Sequence, residues 1–218
     1  DINYIITYSS ILKEKTVNIE FVNSLNQITR GDLMEKLAVL FPGIGYHCDK
    51  PLLYYSKKYL KAYGYEIIEV NYTHFPHTKD KDELIKQAED IGYKQAEEIL
   101  KDIPFSTYDE ILFVSKSIGT AISARFNEEH HINAYSIYFT PLEATFKYDL
   151  NGIAFHGTND PWAKTNLIQC ACEKAHIPVI LYRDANHSLE CGDVLVDISN
   201  LHDIFLHVIE AIQTVYPL

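Results

Sequence analysis

Basic residues are scarce in this chain: 19 lysines and arginines stand against 30 aspartates and glutamates, for a formal net charge of −11. A phosphate backbone or an anionic membrane is bound mainly through positive charge, and no segment here gathers lysine and arginine to provide it. Long apolar runs are also missing, since stretches such as "NAYSIYF" fall far short of the ~20 residues that a membrane-spanning helix needs. The sequence therefore argues against nucleic acid and membrane as partners.

Cysteine is scarce too, with four residues among 218 and no C-x-x-C pair. His47 and Cys48 are adjacent, but no further ligands follow at the spacing of a metal site. We interpret the cysteines as free thiols of a reducing compartment, the alternative being a zinc site or a disulfide framework. The first residues show no basic segment followed by an apolar core, which is the pattern of a secretory signal, so we expect a cytoplasmic protein.

Apolar residues make up 47% of the chain, which suffices for a hydrophobic core without disulfides. No internal repeat, low-complexity tract or Pro/Gly/Ser linker divides the sequence, and α/β folds of this length commonly form one unit. We therefore predict a single domain over residues 1–218, with at most a minimal cap near residues 141–150.

Short apolar runs alternate with amphipathic helical stretches along most of the chain. The runs predicted as strands are "KLAVLF", "YEIIEV", "EILFVS", "AYSIYF", "GIAFHG" and "PVILYR". The predicted helices cover about residues 50–63, 81–100, 118–128, 163–175 and 198–215. Such alternation is typical of β-α-β units, and it predicts a mostly parallel central sheet with helices on both faces. Two earlier strands, "NYIITY" and "VNIEFV", have no helix between them and suggest an antiparallel hairpin at one edge.

The stretch "FVSKSIGTA" runs from an apolar strand into a helix, with two serines at the junction. In an open α/β sheet, ligands bind outside the carboxyl ends of the strands, which is where this junction lies. A sharp turn between strand and helix lifts one side chain into the open, and it needs small residues two positions before and two after. Ser115 and Gly119 meet this need around Ser117. An ordinary helix N-cap is the alternative interpretation of the same residues.

The pattern Ser115-Lys116-Ser117-Ile118-Gly119 resembles the nucleophile elbow of the α/β-hydrolase family, G-x-S-x-G, with serine in place of the first glycine. The resemblance extends from "KLAVLFPGIG" through the last helix. It implies an α/β-hydrolase fold and a nucleophilic role for Ser117. It also places an acid and a general base later in the chain, in the order Ser, Asp or Glu, His.

Two residues at predicted strand ends fit this order. Asp160 follows the strand "GIAFHG", and His187 lies in the loop after "PVILYR". By the resemblance, His187 is the base and Asp160 is the acid that orients it. Glu143, which follows another strand end, is the rival acid, whereas Asp184 is interpreted as loop surface because the family places its acid earlier. The alternatives are a surface histidine at His187 and a turn or helix-capping residue at Asp160.

The family also builds an oxyanion hole from two backbone N–H groups. By the resemblance these are Ile118, directly after the nucleophile, and Ile44, in the loop "LFPGIGYH" whose glycines permit close approach to a substrate. Tyr46 is the alternative donor in that loop. We further predict Tyr46, Thr140 and Glu143 as substrate-pocket residues.

The resulting hypothesis is a serine hydrolase that cleaves a small ester, thioester or related acyl compound through an acyl-enzyme on Ser117. It requires no metal or organic cofactor, and its expected partner is a small acyl substrate. About a dozen residues separate the strands that end near Thr140 and start near Gly152, so we expect an open site with little lid. Two alternatives use the same fold: a catalytically idle binding or scaffold protein, and a peptidase or acyltransferase with the same three residues.

Overall fold

A computed structural model of the protein describes residues 34–76 and 78–217. The hairpin predicted from "NYIITY" and "VNIEFV" lies outside these residues.

Six strands form one sheet in the described ranges: β1 (Lys36–Phe41), β2 (Glu66–Glu69), β3 (Glu110–Lys116), β4 (Tyr135–Phe139), β5 (Gly152–Gly157) and β6 (Val179–Tyr182). All neighbours run parallel, in the order β2-β1-β3-β4-β5-β6. The register pairs Leu40 of β1 with Val114 of β3, and Val114 with Ile137 of β4. The predicted parallel sheet is confirmed.

The α-helices of the described ranges are α1 (Pro51–Ala62), α2 (Lys81–Leu100), α3 (Ile118–Glu129), α4 (Thr165–Lys174) and α5 (Val194–Val215). Two short 3-10 helices, Phe105–Thr107 and Glu143–Lys147, lie in the connections.

The start of α5 was predicted four residues too late, at 198 instead of 194. The carboxylate of Asp193 accepts the backbone N–H groups of Leu195 and Val196, at 2.9 and 3.1 Å, and so caps the helix at an earlier point. Val194 is 70% exposed. Because the first turn packs against nothing in the described core, apolar periodicity does not mark it.

Helices cover both faces of the sheet. Alternate side chains of β1 pack against the helices of opposite faces. Ala38 and Leu40 join the core formed with α1 and α5. Leu37, Val39 and Phe41 join the core formed with α2 and α3 on the opposite face. Successive side chains of a strand point to opposite faces, so a strand covered on both sides is apolar throughout. This confirms the predicted arrangement of helices.

The connection between β4 and β5 holds only the short helix Glu143–Lys147. Its Leu142 is buried in the core on the α2–α3 face. The Tyr148 hydroxyl donates a hydrogen bond to the buried carboxylate of Glu89 in α2. The connection is therefore packed down on α2. The prediction of one domain over residues 1–218 stays a prediction.

Because all six strands are parallel, their carboxyl ends meet at one edge, which we call the carboxyl edge. Four loops of this edge concern the site: those after β1, β3, β5 and β6. None of the helices in the described ranges has the length and apolar content that a membrane crossing requires.

Candidate active site

Ser117 occupies the turn between β3, which ends at Lys116, and α3, which begins at Ile118. Its backbone has φ 56° and ψ −125°, a conformation that costs a non-glycine residue about 1–3 kcal/mol. Ser115 is fully buried, and its hydroxyl donates to the Ile137 carbonyl at 3.2 Å. Of the two serines in the motif, the turn therefore presents Ser117 to the carboxyl edge.

Because Gly119 has no side chain, this turn can lie close to the end of β1. A Cβ atom there would lie 2.2 Å from the Phe41 carbonyl oxygen and 2.5 Å from that of Pro42. Gly43 is similarly close to the turn, since a Cβ atom on it would lie 3.0 Å from Cβ of Ser117. The missing side chains let the loop after β1 and the start of α3 pack directly beside Ser117.

The side chains of Ser117, His187 and Asp160 form a chain of hydrogen bonds. Nε2 of His187 lies 2.7 Å from Oγ of Ser117, and Nδ1 lies 2.7 Å from Oδ2 of Asp160. The other carboxylate oxygen, Oδ1, accepts the N–H of Trp162 at 2.8 Å. An ionised carboxylate only accepts hydrogen bonds, so Nδ1 carries the proton and Nε2 accepts the serine hydroxyl. The structure brings together the three side chains that the sequence singled out.

The charges of this group favour a neutral imidazole beside an ionised carboxylate. Burial lowers the pKa of His187, and the positive charge of Lys116 adds to that effect. The hydrogen bond that His187 donates to Asp160 opposes it, and the pKa lies below its ordinary value. Burial alone raises the pKa of Asp160. The hydrogen bond and charge of His187, the hydrogen bond from the Trp162 N–H and the charge of His156 together outweigh burial, and the pKa lies below its ordinary value. At neutral pH the imidazole is therefore free to accept a proton.

Two further titratable side chains lie under the site, and the sequence analysis missed both. Lys116 is 1% exposed, and its Nζ lies 2.6 Å from Oγ1 of Thr140. His156 is fully buried, with Nδ1 3.8 Å from Oδ2 of Asp160. Burial lowers the pKa of His156. A signal was available in each case, because a lysine and a histidine lie at the carboxyl ends of the buried strands β3 and β5, where charged or titratable side chains are rarely buried.

The loop after β1 closes as a tight turn that uses the N–H of one of the two predicted donors. The N–H of Gly43 donates to the Tyr46 carbonyl at 3.1 Å, and the N–H of Tyr46 donates back to the Gly43 carbonyl at 3.2 Å. The N–H of Ile44 has no acceptor among the described residues. The N–H of Ile118, at the first position of α3, also lacks an intrahelical partner. The geometry therefore favours Ile44 over Tyr46 as the second donor.

A cavity of about 120 Å³ opens beside Ser117 and His187. Its wall is mostly apolar and consists of Ile44, Leu84, Ile85, Ala88, Ile118, Leu142 and Trp162. The sequence analysis predicted α2 but not that its first turns form this wall. Periodicity identifies the apolar face of a helix, but not whether that face meets a core or a cavity.

The three residues predicted for the pocket do not line this cavity. Thr140 is fully buried and bonds to Lys116 and to the His187 carbonyl. Tyr46 lines a neighbouring cavity, and its hydroxyl accepts the N–H of Leu52. Glu143 lies on two surface grooves beyond the wall. All three follow strands at the carboxyl edge, which the sequence could indicate, but their side-chain directions depend on turns that it could not.

Three solved structures share this fold. A Pyrococcus furiosus esterase gives a TM-score of 0.58 at 14% identity, with 83% of each chain covered. A lid-less α/β serine hydrolase from Xanthomonas campestris gives 0.57 at 11% identity, with 86% of each chain covered. A Thermogutta terrifontis esterase gives 0.56 at 16% identity, with 88% of this chain and 86% of that chain covered. This chain has an α/β-hydrolase fold.

No family model and no curated protein matches the sequence, so the likeness lies in the fold. Within this α/β-hydrolase fold, Ser117, Asp160 and His187 follow β3, β5 and β6 and meet at the carboxyl edge. Among the described residues, no group of three or more His, Cys, Asp or Glu side chains is arranged to hold a metal ion.

Proposed function

We propose that this protein is a serine hydrolase that cleaves a small ester, thioester or related acyl compound through an acyl-enzyme on Ser117. The observation that supports this proposal is the hydrogen-bond chain from Asp160 through His187 to Ser117, with 2.7 Å at each histidine nitrogen. A nucleophile, a base and an orienting acid in contact are what acyl transfer through serine requires.

In the first half of the reaction, Oγ of Ser117 attacks the carbonyl carbon while Nε2 of His187 takes the hydroxyl proton. The tetrahedral intermediate then collapses, and His187 gives that proton to the departing alcohol or thiol. Asp160 stays ionised and stabilises the imidazolium between these two transfers. The acyl group remains on Ser117.

In the second half, a water molecule takes the place of the leaving group. His187 removes its proton, the resulting tetrahedral intermediate releases the acid, and Ser117 recovers its hydroxyl proton from His187. His187 is neutral again at the end of each half, and the proton that Ser117 loses in the first half is restored in the second, so no external acid or base is consumed.

The free N–H groups of Ile44 and Ile118 are the proposed donors to the oxygen that becomes negative in both halves. Ile118 also begins a helix, whose N-terminal end carries partial positive charge. One such donor is worth about 2.7–4 kcal/mol of transition-state stabilisation in a measured case. Both donors are backbone groups, and the side chain of Ile44 is exposed.

The apolar cavity beside Ser117 is the proposed acyl site. A volume of about 120 Å³ with a wall of aliphatic and aromatic side chains fits a short apolar acyl chain better than a long or charged one.

The test is covalent labelling with a fluorophosphonate followed by mass spectrometry of the tryptic peptides. We expect one adduct, on Ser117, and none in the Ser117→Ala variant. Ser115→Ala is the matched control, since it removes the other serine of the motif and should leave labelling intact. A Thermogutta terrifontis esterase of the same fold has been solved phosphonylated by cyclosarin, which supports this class of reagent as a probe.

The same protein should hydrolyse p-nitrophenyl acetate, with turnover lost in Ser117→Ala. A folded wild type that neither labels nor turns over ester or thioester would contradict the proposal and favour an idle scaffold. Turnover of peptide amides with no turnover of esters would instead favour a peptidase.

A further inference from the structure

Lys116 is the last residue of β3 and one of the largest fully buried side chains of the protein. Lysine is almost never buried completely without a partner, because the ammonium loses its hydration. The reaction proposed above does not use it. Its Nζ instead lies 4.9 Å from the centre of the Tyr46 ring and 2.6 Å from Oγ1 of Thr140.

The contact with Thr140 leads to the general base. Oγ1 of Thr140 lies 3.2 Å from the backbone carbonyl oxygen of His187. An ammonium group only donates, so the Thr140 oxygen accepts from Lys116 and must direct its own proton to that carbonyl. Thr140 is itself held firmly, because its N–H donates to the Phe155 carbonyl at 2.7 Å.

We propose that Lys116 is a positioning residue for the serine hydrolase reaction: through Thr140, its buried amino group fixes the backbone of His187 and so holds the imidazole against Ser117. This inference rests on the proposed function. It assigns a task to the residue directly before the nucleophile, at the end of β3.

The charge of Lys116 also acts on the base. Lys116 faces the carboxylates of Asp160 and Glu190, while His187 faces Asp160, Lys116 and His156. Burial lowers the pKa of Lys116 to about 7, and the two carboxylates oppose that effect. Lys116 is therefore charged over the acidic range in which His187 titrates. That positive charge disfavours the imidazolium, so its removal should raise the pKa of His187.

The first test uses Lys116→Met, which keeps the length of the side chain, and Thr140→Val, which keeps its shape. Each should lower kcat for p-nitrophenyl acetate by roughly 10- to 100-fold with little change in KM, as expected when a catalytic group is slightly misplaced. Thr140→Ser restores the hydroxyl and should recover most of the loss. Lys174→Met, at an exposed lysine of α4, is the matched control.

Two further readouts separate positioning from general loss of structure. Because both variants break one chain of contacts, the double variant should lose no more activity than the worse single variant. The acidic limb of the kcat/KM profile should move to higher pH in Lys116→Met, since activity requires neutral His187. It should not move in Thr140→Val, which keeps the charge.

A folded Lys116→Met protein with wild-type kcat and an unmoved acidic limb would overturn the proposal, as would losses that multiply in the double variant. Proton NMR of the His187 imidazole, assigned with His187→Gln, reports the pKa without turnover. If the wild type is unreactive toward fluorophosphonate, the proposed function fails. The NMR titration still decides whether Lys116 acts on His187, because an unchanged pKa in Lys116→Met would contradict it.

Discussion

Ser117 holds a backbone conformation that most side chains avoid, and its surroundings impose it. The Ser117 N–H donates to the Phe139 carbonyl at 3.0 Å, while Gly43 and Gly119 let backbone atoms crowd around the turn. These contacts involve no atom of the serine side chain beyond Cβ. Replacing the hydroxyl by hydrogen should therefore leave the turn intact, which makes Ser117→Ala a clean measure of the nucleophile.

At the same scale, we predict that Asp160 acts as the acid and Glu143 does not. Asparagine keeps the shape of aspartate but can stabilise the wrong imidazole tautomer, which in a serine protease reduced kcat by about 10⁴. Asp160→Asn should therefore reduce kcat by roughly 10³–10⁴ in p-nitrophenyl acetate assays. Glu143→Gln and Asp184→Asn should stay within a few-fold of wild type. If Glu143→Gln proves the most damaging of the three in a folded protein, the assignment is wrong.

Among the elements, α2 has the least expected part in the site. It packs on the sheet through its middle and end, but Leu84, Ile85 and Ala88 in its first turns form the wall of the cavity beside Ser117. The helix is fixed there by Asp80, whose carboxylate accepts the N–H of Glu83 at 2.9 Å. On this side of the cavity, the acyl chain of the proposed substrate would therefore meet a helix face.

From this wall we predict the chain-length preference. Rates on p-nitrophenyl esters should decline beyond a few acyl carbons, because the cavity is small and the connection between β4 and β5 adds only a short 3-10 helix. Ile85→Ala should shift the optimum to longer chains by opening the wall. Ile99→Ala, at the far end of the same helix and 39% exposed in the wild type, should leave the preference unchanged. A steady rise in wild-type rates toward long chains would contradict this account.

The same elements show what the sequence could predict. Strands and most helix ends were predictable to within about two residues, because apolar runs, proline and glycine mark them locally. The chain order of Ser117, Asp160 and His187 was predicted from the resemblance of the motif to the nucleophile elbow of the α/β-hydrolase family. The resemblance indicated Ile44 as the second donor, with Tyr46 as the alternative, but the sequence could not show which N–H the turn uses internally. The link from Lys116 to Thr140 joins neighbouring strands, and no local pattern encodes such a contact.

For the whole molecule, the burial of Lys116 is a cost in stability. Its pKa is about 7 in the folded protein, against 10.5 as the ordinary value. Between these two pH values the unfolded chain binds more protons than the folded one, so the free energy of unfolding rises with pH across that interval. Below pH 7 the burial of Lys116 lowers the free energy of unfolding the most. One pKa unit corresponds to about 1.4 kcal/mol, so the loss amounts to a few kcal/mol.

We therefore predict that Lys116→Met is more stable than the wild type at pH 6, although it is less active. Urea unfolding at a series of pH values should show that the difference in free energy of unfolding between Lys116→Met and the wild type becomes smaller as the pH approaches 10. Lys174→Met should show no such trend. A Lys116→Met protein that is less stable at every pH would mean that the lysine contributes more by its contacts than it costs by its burial.

The positions of the three reacting side chains along the chain have a consequence for synthesis. Ser117 follows β3 in the middle of the sequence, whereas His187 follows β6, the last strand. While the ribosome is still adding residues, the serine is an ordinary alcohol with no base beside it. On the proposed mechanism, it gains nucleophilic strength only when β6 has docked against β5. Nascent chains that end before β6 should thus not react with acyl compounds at Ser117. The appearance of that reactivity should show that β6 has joined the sheet.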